Sequence, residues 1–228
     1  MDVNSNKYTI GFSIVMVVIV ALLLAFASEG LKPMQNQNIE REKMQNILKS
    51  VGIEVTRDEA QDAYNKYITE EIVLNDKGEQ IEGDAFKVDI LKEYKSGGQK
   101  NFPIFIYESE GSKKYIIPLV GKGLWGPIWG YIALESDKNT VAGASFDHKG
   151  ETPGLGAEVN QGWFQEPFVG KKIFDESGDY QSIRVIKGGA PEGDKHGVDA
   201  ISGGTITSNG VTEMLVRTLK IYEPYLKS

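Results

Sequence analysis

Asp199-Ala200-Ile201-Ser202-Gly203-Gly204-Thr205-Ile206-Thr207-Ser208-Asn209-Gly210-Val211 is a glycine-hinged, hydroxyl-dense stretch that runs into the apolar pattern of a final helix. Two adjacent glycines let a backbone approach an anion closely, and the free N–H groups at a helix start add donors and a positive dipole end. Such a loop can hold a phosphate, and the Thr205 hydroxyl stands where it can be esterified to one. The same residue types also make an ordinary loop and helix N-cap with no ligand. Thr207 and Ser208 offer alternative hydroxyls nearer the expected helix start, where a hydroxyl is more naturally the N-cap.

A second stretch, Gly150-Glu151-Thr152-Pro153-Gly154-Leu155-Gly156-Ala157-Glu158, joins a stiffening proline to glycines that permit close backbone approach. Alone it reads as a Pro-Gly turn with Glu151 as a solvated charge. Together the two stretches carry a resemblance. Asp199 to Thr207 resembles the flavinylation motif Asp-x-x-(Ser/Thr)-Gly-Ala-Thr-x-(Thr/Ser) of proteins that carry FMN through a threonine phosphoester, with Gly204 in place of the usual alanine. Residues 150–158 resemble another signature of the same FMN-binding domains, in the family's order.

The resemblance implies covalent FMN on Thr205, in a loop of Ser202, Gly203, Gly204, Ile206 and Thr207, the last as a phosphate or cap contact. It also implies that Glu151, Thr152, Gly154, Leu155 and Gly156 lie near the flavin ring, with Thr152 donating to a ring heteroatom and Leu155 offering apolar surface. Asp199 is expected to help a separate flavin transferase, using FAD as donor, recognise or activate the acceptor. The redox chemistry belongs to the cofactor, so no side chain is expected to act as a catalyst. Alanine at position 204 is expected to be accepted, because the family normally has it.

At 228 residues the chain is long enough for one domain plus an appendage. From Tyr8 to Ala27 it is apolar and uncharged, long enough to cross the roughly 30 Å hydrocarbon layer as a helix. The run exceeds a usual signal-peptide core, and Ala25-Phe26-Ala27-Ser28-Glu29 is a weak cleavage site, so a retained anchor is expected. Lys7 before the span and Lys32, Arg41 and Lys43 after it leave orientation unsettled by charge. The resemblance implies a single-pass protein of the bacterial inner membrane with its domain on the periplasmic side. A net charge of -7 without basic runs argues against nucleic acid as a partner. The absence of cysteine excludes thiolate metal sites and Fe–S clusters within the chain, and His148 and His196 lack a paired ligand motif, so no metal site is expected.

The expected organisation is a tail over 1–7, an anchor over 8–28, a stalk helix over 29–55 and an FMN-binding domain over 56–228. In the stalk, Met44, Ile47, Leu48 and Val51 mark one face ended by Gly52; Thr56 with Glu59 forms a capping box before Ala60, Ala63, Tyr64 and Tyr67. Strands are predicted at 70–74, 102–108, 114–120, 131–135, 141–147 and 182–187, with hairpin turns at Glu110-Gly111-Ser112 and Asp137-Lys138-Asn139. Residues 121–130 are too glycine-rich for regular structure, and their tryptophans are expected to plug the sheet end. The last helix presents Val211, Met214, Leu215, Leu219 and Tyr222 on one face and is expected to stop at Pro224. The fold class is therefore α+β: one N-terminal transmembrane helix, then an antiparallel sheet with flanking helices.

Two kinds of membrane complex hold FMN-bearing chains of this size with one N-terminal anchor. Thr207 to Val211, together with Gly123-Leu124-Trp125-Gly126-Pro127-Ile128-Trp129-Gly130-Tyr131, resembles the C subunits of sodium-translocating NADH:quinone oxidoreductases more closely than the G subunits of Rnf ferredoxin:NAD oxidoreductases. The implied partners are the other subunits of a membrane oxidoreductase, and the implied role is a relay of electrons between neighbouring cofactors. A reading from another class is a membrane-anchored module whose loop holds an anionic ligand noncovalently.

Overall fold

The computed structural model describes residues 5–95 and 100–228. Residues 1–4 of the expected tail lie outside them. Helix α1 runs Asn6–Lys49 without interruption, with Pro33 inside it. The expected anchor and most of the expected stalk are thus one helix. Its N-terminal part has a mean hydropathy of 3.0 and is unburied, so by length and composition it can cross a membrane.

Compactness divides the chain between Lys43 and Met44 rather than at residue 55. Met44, Ile47 and Leu48 are buried in the body that follows. Gly52, at φ 85°, ends the helix by letting Ile53 N–H reach back to the Leu48 carbonyl. The body continues with α2 (Ala60–Tyr67), β1 (Ile68–Leu74), β2 (Gln80–Ile81), α3 (Ile90–Lys95), β3 (Phe102–Ser109), β4 (Ser112–Lys122), β5 (Pro127–Leu134) and β6 (Val141–His148). Then come α4 (Gly162–Gln165), β7 (Arg184–Ile186), β8 (Gly197–Asp199) and α5 (Thr205–Leu226).

Strands β1 to β6 form one antiparallel sheet in the order β2-β1-β3-β4-β5-β6. Both faces are buried, so the strands read as apolar runs instead of alternating, Phe102-Pro103-Ile104-Phe105-Ile106 being the clearest. One face sends Ile104, Ile117, Leu119 and Ile132 to the same core as Val211, Met214, Leu215 and Leu219 of α5. The other face sends Phe105, Ile116 and Ala133 to a second core with Met44, Ile47, Leu48 and Tyr64. Tyr222 on α5 donates from its buried hydroxyl to the Pro103 carbonyl at 2.9 Å, fixing the helix along the sheet. Gly210 lets α5 approach so closely that a Cβ there would strike the Lys122 carbonyl.

Four expectations are corrected. The stretch 121–130 is mostly strand: Gly121 pairs with Ile128 and Lys122 with Pro127, leaving only 123–126 as a turn. Ladder hydrogen bonds need no side chain, so glycine content misleads there. Trp125 lies at the tip and is 70% exposed, so it plugs nothing, while Trp129 is half-buried within β5. Pro224 lies inside α5, because it removes one donor near the helix end and two more residues complete the turn, burying Leu226. The strand predicted at 182–187 shortens to β7 and pairs in parallel with β8 in a separate two-stranded sheet.

A chain starting at Glu29 is expected to be monodisperse without detergent, since the buried cores lie beyond Lys43. Within it, Ile47→Ala should lower the unfolding free energy by about 2–5 kcal/mol, because the side chain is fully buried. Urea unfolding measures this; a change below about 0.5 kcal/mol would show that the end of α1 is not part of the body.

Candidate functional site

Strand β8 ends at Asp199, and residues 200–204 turn the chain into α5. Gly203 takes φ 75°, a conformation open to glycine, and Gly204 N–H closes the turn on the Ile201 carbonyl. Helix α5 begins at Thr205, with Gly204 as N-cap and no side-chain cap. The expectation that Thr207 or Ser208 caps the helix is therefore corrected: they are its third and fourth residues. Both are buried and committed. Thr207 Oγ1 donates to Glu151 Oε2 at 2.6 Å, and Ser208 Oγ accepts from Ile201 N–H at 3.2 Å.

Thr205 differs. It is half-buried, and among the described residues its hydroxyl makes no hydrogen bond. The N–H groups of Thr205, Ile206 and Thr207 belong to the first turn, where a helix supplies no acceptors. They open on a cleft of about 230 Å³. One wall is Gly203, Gly204, Thr205, Ile206 and Thr207; the other is Glu151, Thr152, Leu155 and Gly156 from the loop after β6, with Leu124 from the β4–β5 turn.

The fold thus brings two stretches about fifty residues apart onto one cleft. Two of the expected site residues are not among its lining. Ser202 is exposed on the turn, and Gly154 N–H donates to Glu158 Oε1 at 3.1 Å. Leu124 lines the cleft although sequence reasoning does not single it out as a site residue; its signal is the apolar pair Leu124-Trp125 set among glycines. Asp199 is exposed, and its carboxylate accepts from Ala190 N–H at 2.7 Å.

Glu151 is not a solvated charge. It is 5% exposed, and besides Thr207 it accepts from Trp125 N–H at 2.8 Å. Burial pushes its carboxyl up, but hydrogen bonds from Thr207 and the backbone of Trp125, Leu124 and Gly126 outweigh this and hold it below the usual carboxylate value. Gly123 and Gly156 leave the room: a Cβ on either would meet the carboxylate oxygens. The Glu151 N–H itself donates to His148 Nδ1 at 3.1 Å, at the end of β6.

Among the described residues no lysine or arginine lines the cleft, and Glu151 is the one ionisable side chain in its lining. Its rim is apolar and open, with Leu124, Leu155 and Ile206 all exposed. The arrangement suits a phosphate at the helix start beside an aromatic group on the rim, and it fits FMN attached by its phosphate end.

Two outcomes follow. A carboxyl held low contributes stability that is complete above its unfolded value, about 4.3, and is lost as pH falls through its folded value. Glu151→Gln should therefore be less stable than wild type at pH 7, and the gap in urea unfolding should close below about pH 4; a gap that widens toward acid would contradict this account. Alanine at 204, expected from the family pattern to be accepted, meets a correction: its Cβ would stand 2.9 Å from Ile201 Cγ2 and 3.4 Å from the Leu155 carbonyl carbon. Gly204→Ala should cost about 1 kcal/mol in the same assay.

Comparison with known proteins agrees with this geometry. Residues 123–220 match the FMN-binding domain family model, a range that contains both walls of the cleft. The C subunit of the Na(+)-translocating NADH-quinone reductase of Vibrio vulnificus is 33% identical over 226 residues, covering 91% of this chain and 88% of that protein. Its counterpart in Vibrio alginolyticus is 32% identical with the same coverage. Among solved structures, the C subunit of the same reductase from Parabacteroides distasonis superposes with a TM-score of 0.81 at 47% identity, over 87% of this chain and 98% of that one. NqrC of Shewanella oneidensis gives 0.69 at 28% identity, over 82% and 98%. With relatives this similar over most of their length, the chain belongs to the C-subunit family of the Na(+)-translocating NADH-quinone reductases.

Proposed function

We propose that the chain is the membrane-anchored FMN subunit of a sodium-translocating NADH:quinone oxidoreductase, holding FMN as a phosphoester on Thr205 and relaying electrons between neighbouring cofactors. One observation carries the attachment site. Of the three hydroxyls in the first turn of α5, those of Thr207 and Ser208 are buried and bonded, and that of Thr205 lies on the cleft with no hydrogen bond among the described residues.

The N–H groups of Thr205, Ile206 and Thr207 would hold the phosphate oxygens, and the positive end of α5 favours their charge. Leu124, Leu155 and Ile206 would support the flavin ring on the rim. FMN supplies the electron chemistry when bound; the residues supply position and electrostatics. The lack of a cationic side chain favours covalent attachment over a noncovalent anion site. A freely exchanging phosphate would have to be held beside ionised Glu151 by backbone donors alone, whereas an ester stays in place without that affinity.

Family membership favours the quinone reductase over the Rnf complex, since its relatives match over most of their length. The apolar part of α1 is the single-pass anchor, and the body lies on the periplasmic side of the bacterial inner membrane, where a flavin transferase using FAD matures it. Charge does not decide this orientation, with Lys7 before the span and Lys32, Arg41 and Lys43 after it; the orientation follows from the family resemblance.

Co-expression with a flavin transferase followed by peptide mapping is expected to find the FMN mass on Thr205. Thr205→Ala should abolish flavin fluorescence on a denaturing gel while far-UV circular dichroism stays unchanged. FMN mass on Thr207 or Ser208, or fluorescence surviving in Thr205→Ala, would overturn the assignment. Alkaline phosphatase fused after Ser228 should be active; activity of a cytoplasmic reporter there would reverse the orientation.

A further inference from the structure

The resemblance places Glu151 beside the flavin, yet its carboxylate is already occupied by the protein. A carboxylate has about four lone-pair acceptor sites. Oε2 takes the Thr207 hydroxyl and Oε1 the Trp125 N–H, and the Leu124 and Gly126 N–H groups add to the same cluster. The bare α-carbons of Gly123 and Gly156 close around it. These partners lie on segments remote in sequence: Trp125 is 26 residues from Glu151 and Thr207 is 56.

The tip of the β4–β5 turn is exposed. Leu124 and Trp125 are exposed, and the turn's own backbone bond joins Gly123 N–H to the Gly126 carbonyl. A short turn whose large apolar side chains are exposed belongs to the part of a structure that opens most easily.

We propose that Glu151 is a positioning residue that fastens the 123–126 turn to the first turn of α5, so fixing the two walls of the cleft between which FMN is held. Its carboxylate acts on the cofactor through Leu124 on one side and through the helix start on the other. The proposal rests on the reading that FMN is attached at Thr205, and its test has one arm that does not need the flavin.

In that arm, full-length protein in detergent, made without a flavin transferase, is compared with Glu151→Gln and Thr207→Val by amide hydrogen exchange. Thr207→Val keeps the side-chain shape, keeps Glu151 and does not touch the β4–β5 turn. It is expected to speed exchange at Trp125 N–H by roughly tenfold or more, as Glu151→Gln does, with protection in β3 unchanged. Unchanged exchange at Trp125 in Thr207→Val would overturn the proposal, and that variant decides the matter even where Glu151→Gln fails to fold.

In the second arm, the flavin-loaded full-length protein is read by the visible circular dichroism of its bound flavin, expressed per covalently attached flavin. Both variants should lose about half of the signal or more, and the double variant should lose no more than the larger single loss, because the two residues act as one unit. Additive losses, or a loss confined to Glu151→Gln, would show that the carboxylate acts on the flavin directly and would overturn the proposal. If wild-type protein acquires no covalent flavin, the attachment reading fails, while the exchange arm still tests the fastening.

Discussion

A carboxylate taken out of water has to recover its hydrogen bonds from the protein, or else lose its charge. Glu151 recovers them from a hairpin turn and from the first turn of a helix that packs beside that hairpin at Gly210. That demand organises the cleft. It explains the glycines at 123 and 156, which clear space for the oxygens, and it accounts for the Thr207 hydroxyl. With Thr207 engaged below and Ser208 tied back to Ile201, the hydroxyl of the first turn of α5 left over for the cleft is that of Thr205.

Beneath the cleft lies a sheet covered on both sides. Helix α5 covers one face, and the end of α1 with α2 covers the other. The sheet places the β4–β5 turn and the end of β6 at the same edge of the body as the start of α5, which Tyr222 and Gly210 hold in register. The family model spans residues 123 to 220, a range that holds the cleft's lining but not the end of α1, α2 or strands β1 to β4.

Much of this is legible in the sequence, and the rest is hidden for identifiable reasons. The strands from Phe102 onward, the final helix and the glycine hinge at 203 announce themselves through apolar pattern and turn chemistry, which are local. Glu151 reads as a surface charge because its burial depends on partners up to 56 residues away. The pattern of hydroxyls puts the helix start too late, since Gly204 serves as a cap without any side chain, while the hydroxyls after it face inward. Residues 121–130 read as irregular because glycine has a weak strand preference, whereas paired neighbours on both sides decide its conformation. Leu124 reaches the cleft because a turn carries it there; the apolar pair Leu124-Trp125 among glycines marks an exposed tip but not what that tip faces. Asp199, in turn, is bonded to Ala190, a partner that the motif alone does not reveal.

The position of α5 after all the sheet strands has a consequence for the order in which the protein matures. As the chain leaves the ribosome, Ile104, Ile117, Leu119 and Ile132 emerge long before the helix that covers them. Domains consolidate as units, so this body cannot settle until its modification segment has also been made. The proposed attachment residue sits on that late-arriving cover. Modification at that residue would then be restricted to polypeptides in which the sheet and its covering helix have both been made.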